Sequence, residues 1–302
     1  MIRNFDLLKK VLINLCPYVF SFAILYFLIN FDSLNVSLFS NQLKITPYNI
    51  FLFSLCMISC ASFFMVVSEK FKLFLNSIYG IQISSFESFR INLNSFFIAT
   101  VSSFALSADI YRFKVLGDLN LNKKQSINFL LIERFYTLFY LIIVGFIFTF
   151  FIDRKILLSF DEFNISYSLF FFVILIIFFL RIFKSLFFLI LEKIKKINFI
   201  RFNLLILFFI VTYSIILYTV IIFLNLSIPF EIVLLATPIL LIAQNLPLFI
   251  AGFGPRELCF IFFFSDYASN DSLLMCSILA GVALVIFSFI SLLDFKNIFY
   301  FR

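Results

Sequence analysis

Histidine and tryptophan are missing from all 302 residues, only 13% of the chain is charged, and glycine and proline supply six residues each. Without histidine the chain loses the commonest zinc ligand and the usual general base. The five cysteines, Cys16, Cys56, Cys60, Cys259 and Cys276, all stand in apolar runs. Cys56 and Cys60 share a helix face, but no second pair completes a metal site, so the cysteines read as packing residues and no metal or other cofactor is expected. No polar stretch is long enough to fold as a separate catalytic domain, so a single membrane domain over 1–302 is expected. With tryptophan absent, the aromatic role at the membrane interface falls to Tyr18, Tyr48, Tyr140, Tyr167 and Tyr218.

What is present is apolar: 64% of residues are hydrophobic, 52 are Phe, and the mean hydropathy is +1.14. A soluble domain is about half apolar and roughly a quarter charged. The excess here comes in runs long enough to cross a bilayer, which takes about 20 residues per helix. Eight such segments can be marked, near 11–30, 47–68, 92–108, 126–152, 167–191, 203–226, 231–250 and 257–293, the last interrupted near Asp266 to Asp271. The first follows Arg3, Lys9 and Lys10, but it is too long for a signal-peptide core and reads as a membrane helix.

Positive charge sorts these segments. If 92–108 and 231–268 are re-entrant hairpins, six full spans remain and both termini lie in the cytoplasm. Of the 23 Lys and Arg residues, 18 then face the cytoplasm, Lys70 and Arg112 among them; only Lys44, Arg154 and Lys155 lie outside, with Arg134 and Arg256 inside the membrane layer. That bias fits the rule by which positive loops stay inside. The fold expected is therefore all-α integral membrane, in the inner (cytoplasmic) membrane. Residues 1–152, with a hairpin near 92–112, and 153–293, with a hairpin near 231–268, each run span, span, hairpin, span from opposite sides. This is the arrangement of an inverted-topology repeat. Irregular backbone at membrane depth is tolerated only where protein or a water-lined cavity covers it, so the hairpins should line something.

An ionisable side chain near the bilayer centre costs about 2.5–3.5 kcal/mol on insertion scales and so needs a partner or a purpose. Three clusters meet that condition. Asp109 and Arg112 close the first hairpin, three apart on one helix face, where they can form an interfacial ion pair or face a ligand. Glu133 and Arg134 are neighbours pointing about 100° apart, so each should meet a partner on another segment, structural or substrate. Gln244-Asn245-Leu246-Pro247 precedes Gly252-Phe253-Gly254-Pro255-Arg256-Glu257. There Pro247 and Pro255 break the helix, and Gly252 and Gly254 permit a tight reversal. The next half-helix opens with Arg256 and Glu257, and its free N–H groups can attract an anion. A turn with a local ion pair is the alternative.

The Gly252-to-Glu257 turn after Leu246-Pro247, the Glu133-Arg134 pair and the Asp109-x-x-Arg112 segment resemble, in order and spacing, the motifs of the flippase-like domain family. That family is named for the membrane region of lysylphosphatidylglycerol synthase, and the resemblance covers roughly residues 10–293. Ala108 replaces the family's usual glycine, the proline expected before that segment is missing, and Phe253-Gly254-Pro255 varies the turn.

The resemblance implies a membrane domain that moves, or helps move, an anionic lipid between leaflets. Arg256, Arg112 and Arg134 would hold the headgroup of a phospholipid or polyprenyl-phosphate-linked lipid, and Glu257, Glu133 and Asp109 would balance the cavity's charge. The chain reaches Arg302 without the soluble aminoacyltransferase domain of full-length synthases, which points to transport over catalysis. An integral-membrane transferase acting on lipid-linked sugars, and a non-catalytic partner of envelope-lipid enzymes, are the other readings. Nucleic acid is not an expected partner despite the net charge of +7, because the basic residues are scattered among short loops.

Overall fold

The computed structural model describes residues 46–102, 106–149, 199–245 and 254–294. All regular structure in these stretches is helical: α1 (Pro47–Tyr79), α2 (Ser85–Ser102), α3 (Ser107–Asp118), α4 (Lys123–Thr149), α5 (Phe199–Phe223), α6 (Phe230–Gln244), α7 (Pro255–Phe264), α8 (Asn270–Ser288) and a closing 3-10 turn. Thr46 starts α1 by accepting the Asn49 N–H at 3.2 Å, and Pro47 occupies the first turn, where its missing N–H is no loss. Among the described residues, Pro47–Tyr79, Lys123–Phe148, Ile200–Phe223 and Asn270–Ser291 are long and apolar enough to cross a membrane. They match four of the six expected spans; the other two, near 11–30 and 167–191, lie outside the described residues.

Packing centres on α1, α5 and α8. Apolar side chains gain little from leaving lipid for protein, so helices in a bilayer are held by close packing and interhelical hydrogen bonds. Aromatic rings do much of this packing. Phe63 of α1 stacks on Phe209 of α5 with centroids 5.0 Å apart, and Phe64 stacks on Phe287 of α8 at 5.6 Å. Phe74 meets Phe202 edge-on at 4.5 Å and also reaches Phe129 and Tyr136 of α4. Each such pair contributes about 0.5–1.5 kcal/mol. Short polar bonds add to them: Ser88 Oγ donates to the Ser68 carbonyl at 2.6 Å, tying α2 to α1, and Ser214 Oγ donates to Thr237 Oγ1 at 2.8 Å, tying α5 to α6.

α2 and α3 form an antiparallel helical hairpin where the first one was expected. Arg112 bonds to Asn92 and Ser95, Asn94 to Tyr111, and Ser107 to both the Ile98 carbonyl and Ser102. Rising numbers on one helix thus meet falling numbers on the other. α6 packs on α4, α5 and α7, and α7 packs on α8.

Candidate functional site

α1 continues past Ser68 to Tyr79, so Lys70 is not a loop charge facing the cytoplasm; it lies inside the helix and is only 6% exposed. Its Nζ donates to Thr137 Oγ1 at 3.0 Å and stands 3.6 Å from Glu133 Oε1. Thr137 is held ready for that bond, because its own hydroxyl donates to the Glu133 carbonyl one turn back at 2.8 Å. The Phe209 ring lies 5.5 Å from the ammonium.

Arg112 reaches the other oxygen of the same carboxylate. Its Nη1 is 3.7 Å from Glu133 Oε2, its Nη2 donates to Asn92 Oδ1 at 2.7 Å, and its Nε donates to Ser95 Oγ at 3.1 Å. Asn92 and Ser95 are three apart on α2 and so share a face. Asn92 Nδ2 donates to the Ser88 carbonyl at 2.8 Å, which turns its Oδ1 toward the guanidinium. Asp109 pairs with Arg134 of α4, Oδ2 to Nη2 at 2.5 Å. The i, i+3 pair of Asp109 with Arg112 suggested by the spacing is thus replaced by two pairs that run from α3 to α4. Neighbouring residues on α4 serve different partners: Glu133 faces Lys70 and Arg112, and Arg134 faces Asp109.

These groups surround a cavity of about 330 Å³. Its polar wall is Lys70, Asn92, Ser95, Asp109, Arg112, Glu133, Arg134 and Thr137, its apolar wall includes Phe63, Phe64, Phe96, Leu138, Phe209 and Leu241, and Gln244 and Asn245 from the end of α6 complete the lining. Both expected hairpin regions therefore contribute to one site. Three cations and two carboxylates line it, leaving one formal positive charge in excess. Arg134 lies at the exposed edge, on the α4 face that also carries the exposed Ile127 and Leu131.

The second cluster lies elsewhere. Arg256 and Glu257 are 1% and 0% exposed and are not among the cavity-lining residues. Arg256 Nη2 is 2.6 Å from Glu257 Oε1, its Nε donates to the same oxygen and to Ser277 Oγ of α8, both at 3.1 Å, and the Ser277 hydroxyl donates to Glu257 at 3.2 Å. Glu257 Oε2 accepts the Gly254 N–H at 2.5 Å, the half of a capping box that a glycine can join. The α7 N-terminus thus already holds an anion, the protein's own carboxylate.

Gly254 has φ +105°, a conformation that favours glycine, so the turn geometry expected there is present at this residue and at Pro255, which opens α7. Pro247 and Gly252 lie outside the described residues. The guanidinium of Arg256 rests on Gly281 of α8, where an added Cβ would come within 2.6 Å of Nη2. Arg256 also interacts with the buried Tyr213, whose ring is 5.8 Å from Phe63 of the cavity wall. The Tyr213–Phe63 ring contact thus lies between the two charge clusters.

Sequence reasoning missed Lys70, Asn92 and Ser95. Lys70 carried one usable signal: it follows a 47–68 apolar run with no proline, glycine or turn residue to end the helix before it. Asn92 and Ser95 carried none, being common polar residues at an uninformative spacing.

Among the described residues no group of three or more His, Cys, Asp or Glu could hold a metal ion. The charge-lined cavity among long apolar helices defines a multi-pass membrane protein with an interior polar site. The lysylphosphatidylglycerol synthase TM region family matches residues 14–291, and the chain belongs to that family. The family links it to membrane-lipid metabolism or translocation. A comparison with curated proteins finds no match.

Proposed function

We propose that the cavity receives the anionic headgroup of a phospholipid or polyprenyl-phosphate-linked lipid and helps it pass between leaflets. The observation that carries this reading is the cavity's single excess positive charge, which one phosphate would neutralise. Buried charges persist in a bilayer only when compensated, so a cation-rich cavity of about 330 Å³ favours an anion. The volume fits a headgroup, and the phenylalanine-rich wall suits the acyl or prenyl end. Arg112 and Arg134, aided by Lys70, would bind the phosphate, and Glu133 and Asp109 would keep the empty cavity near neutrality. Arg256 would join them only when its pair with Glu257 opens. No phosphate-binding loop for a nucleotide occurs in the sequence, so movement would be passive or follow an ion or potential gradient.

The test is translocation of a fluorescent anionic phospholipid in proteoliposomes. Arg112→Gln should lower the rate about ten- to hundredfold, the worth of one charge-assisted bond, while the exposed Lys124→Gln should leave it unchanged. Equal rates for Arg112→Gln and the unsubstituted protein would remove the cavity from the mechanism.

The same proposal includes topology: α2–α3 and α6–α7 as re-entrant hairpins in an inverted repeat, with both termini cytoplasmic. Removing the buried Lys70 and the half-buried Arg112 from the inside charges leaves the bias toward the cytoplasm intact. In a cysteine-free background, Lys72→Cys and Lys123→Cys should resist impermeant thiol reagents in intact cells, and Asn270→Cys should react. Labelling of position 123 but not 72 from outside would mean that the α2–α3 region crosses the membrane.

A further inference from the structure

Among the described residues, the charges of the two interior clusters fall into three groups. Arg256 and Glu257 cancel each other at 2.6 Å, and Arg134 and Asp109 cancel at the cavity's edge. In the third group a single carboxylate, Glu133, stands between Lys70 at 3.6 Å and Arg112 at 3.7 Å, so one positive charge is left over. Both cations are tied down, Lys70 to Thr137 and Arg112 to Asn92 and Ser95, so the excess is fixed to the helices and moves with them. α1 and α4, which carry Lys70 and Glu133, are among the helices long and apolar enough to cross a membrane. A charge held in that layer feels the transmembrane potential, and one cancelled by a ligand does not.

We infer that the membrane potential acts on the empty cavity and not on the loaded one. This rests on the lipid-translocation reading and adds what regulates that same site. With a singly charged phosphate bound, the Lys70–Glu133–Arg112 triad and its ligand sum to zero, and the loaded site reorients indifferently to voltage. Once the anion has left, the site returns carrying one positive charge. Return is quickened when the leaflet that received the lipid faces the positive side, and slowed when the polarity is reversed.

The full chain in phosphatidylcholine vesicles would be given acyl-labelled phosphatidylglycerol in one leaflet, as a singly charged probe. Its appearance in the other leaflet is timed under a potassium diffusion potential set with valinomycin. With only phosphatidylcholine opposite, the cavity returns empty, and a potential of cellular size should change the rate about five- to tenfold, its sign following the polarity. With unlabelled phosphatidylglycerol opposite, the cavity returns occupied, and the same potential should change the rate less than about twofold. Sensitivity in both arms, in neither, or in the second alone would overturn the inference and leave translocation standing. No movement in either arm at any potential would overturn both readings. Lys70→Met makes the empty triad neutral and the loaded one negative, so the sensitivity should pass from the first arm to the second. Glu133→Gln leaves charge on the triad in both states and should show sensitivity in both arms. An unchanged pattern in whichever variant folds would overturn the assignment of the excess charge to the triad.

Discussion

Glu133→Ala should come close to abolishing accumulation of folded protein. One carboxylate serves two cations on two different helices, Lys70 at 3.6 Å and Arg112 at 3.7 Å, in a site where Lys70 is almost wholly buried. Removing one partner of a buried ion pair costs about 3–5 kcal/mol, because the remaining charge stays in a poor solvent. Here two cations lose their partner at once, and the total stability of a folded domain is only about 5–15 kcal/mol. Glu133→Gln should be milder, since an amide oxygen can still accept from Lys70. The measurement is the fraction of protein that remains monodisperse after extraction, together with its thermal midpoint. Adding Lys70→Met to Glu133→Ala should recover part of the loss. A Glu133→Ala protein as stable as the original would show that the three groups do not depend on one another.

The second large effect is expected at Gly281. A methyl group there would approach the Arg256 guanidinium to 2.6 and 2.9 Å. Long side chains usually move aside, but this one is enclosed and bonded to Glu257 and Ser277. Gly281→Ala should therefore separate the pair or push α7 from α8, lowering the thermal midpoint and yield by an amount comparable to losing the pair, about 3–5 kcal/mol. Arg256→Ala strands Glu257 and should do similar damage. Arg256→Met with Glu257→Leu replaces both charges by apolar groups and should be tolerated much better, because replacing a whole buried pair is often neutral. The translocation assay completes the comparison: a stably inserted Arg256→Ala protein with undiminished transport would exclude Arg256 from the headgroup site.

Hydropathy and the distribution of positive charge made much of the architecture legible. The long apolar runs near 47–68, 126–152 and 203–226 correspond to α1, α4 and α5, and the short run 92–108 corresponds to a helix pair. The expectation that charges at depth need partners also singled out Asp109, Arg112, Glu133 and Arg134, which the structure brings to one cavity without Arg256 and Glu257. It placed Arg112 and Asp109 with each other, because spacing along a helix is visible in a sequence and the facing helix is not. The sequence puts Lys70 among the cytoplasmic charges because positive charge is the usual mark of a span's end. A buried lysine gives no sign of the carboxylate that will meet it more than sixty residues later. For Arg256 and Glu257 the sequence leaves two readings open, an anion site at a half-helix start and a turn with a local ion pair, and the structure has the local pair. At the first turn of α7 the Gly254 N–H fixes the glutamate, and the long arginine folds back onto its neighbour.

That adjacency bears on how the protein is assembled. α7 emerges from the ribosome with acid and base on consecutive residues, so it can enter the bilayer as a self-neutralised segment without waiting for another helix. α1 has no such provision. Lys70 must stay near the aqueous interface until α4 has been made and brings Glu133 alongside, which couples the final seating of an early helix to the synthesis of a later one.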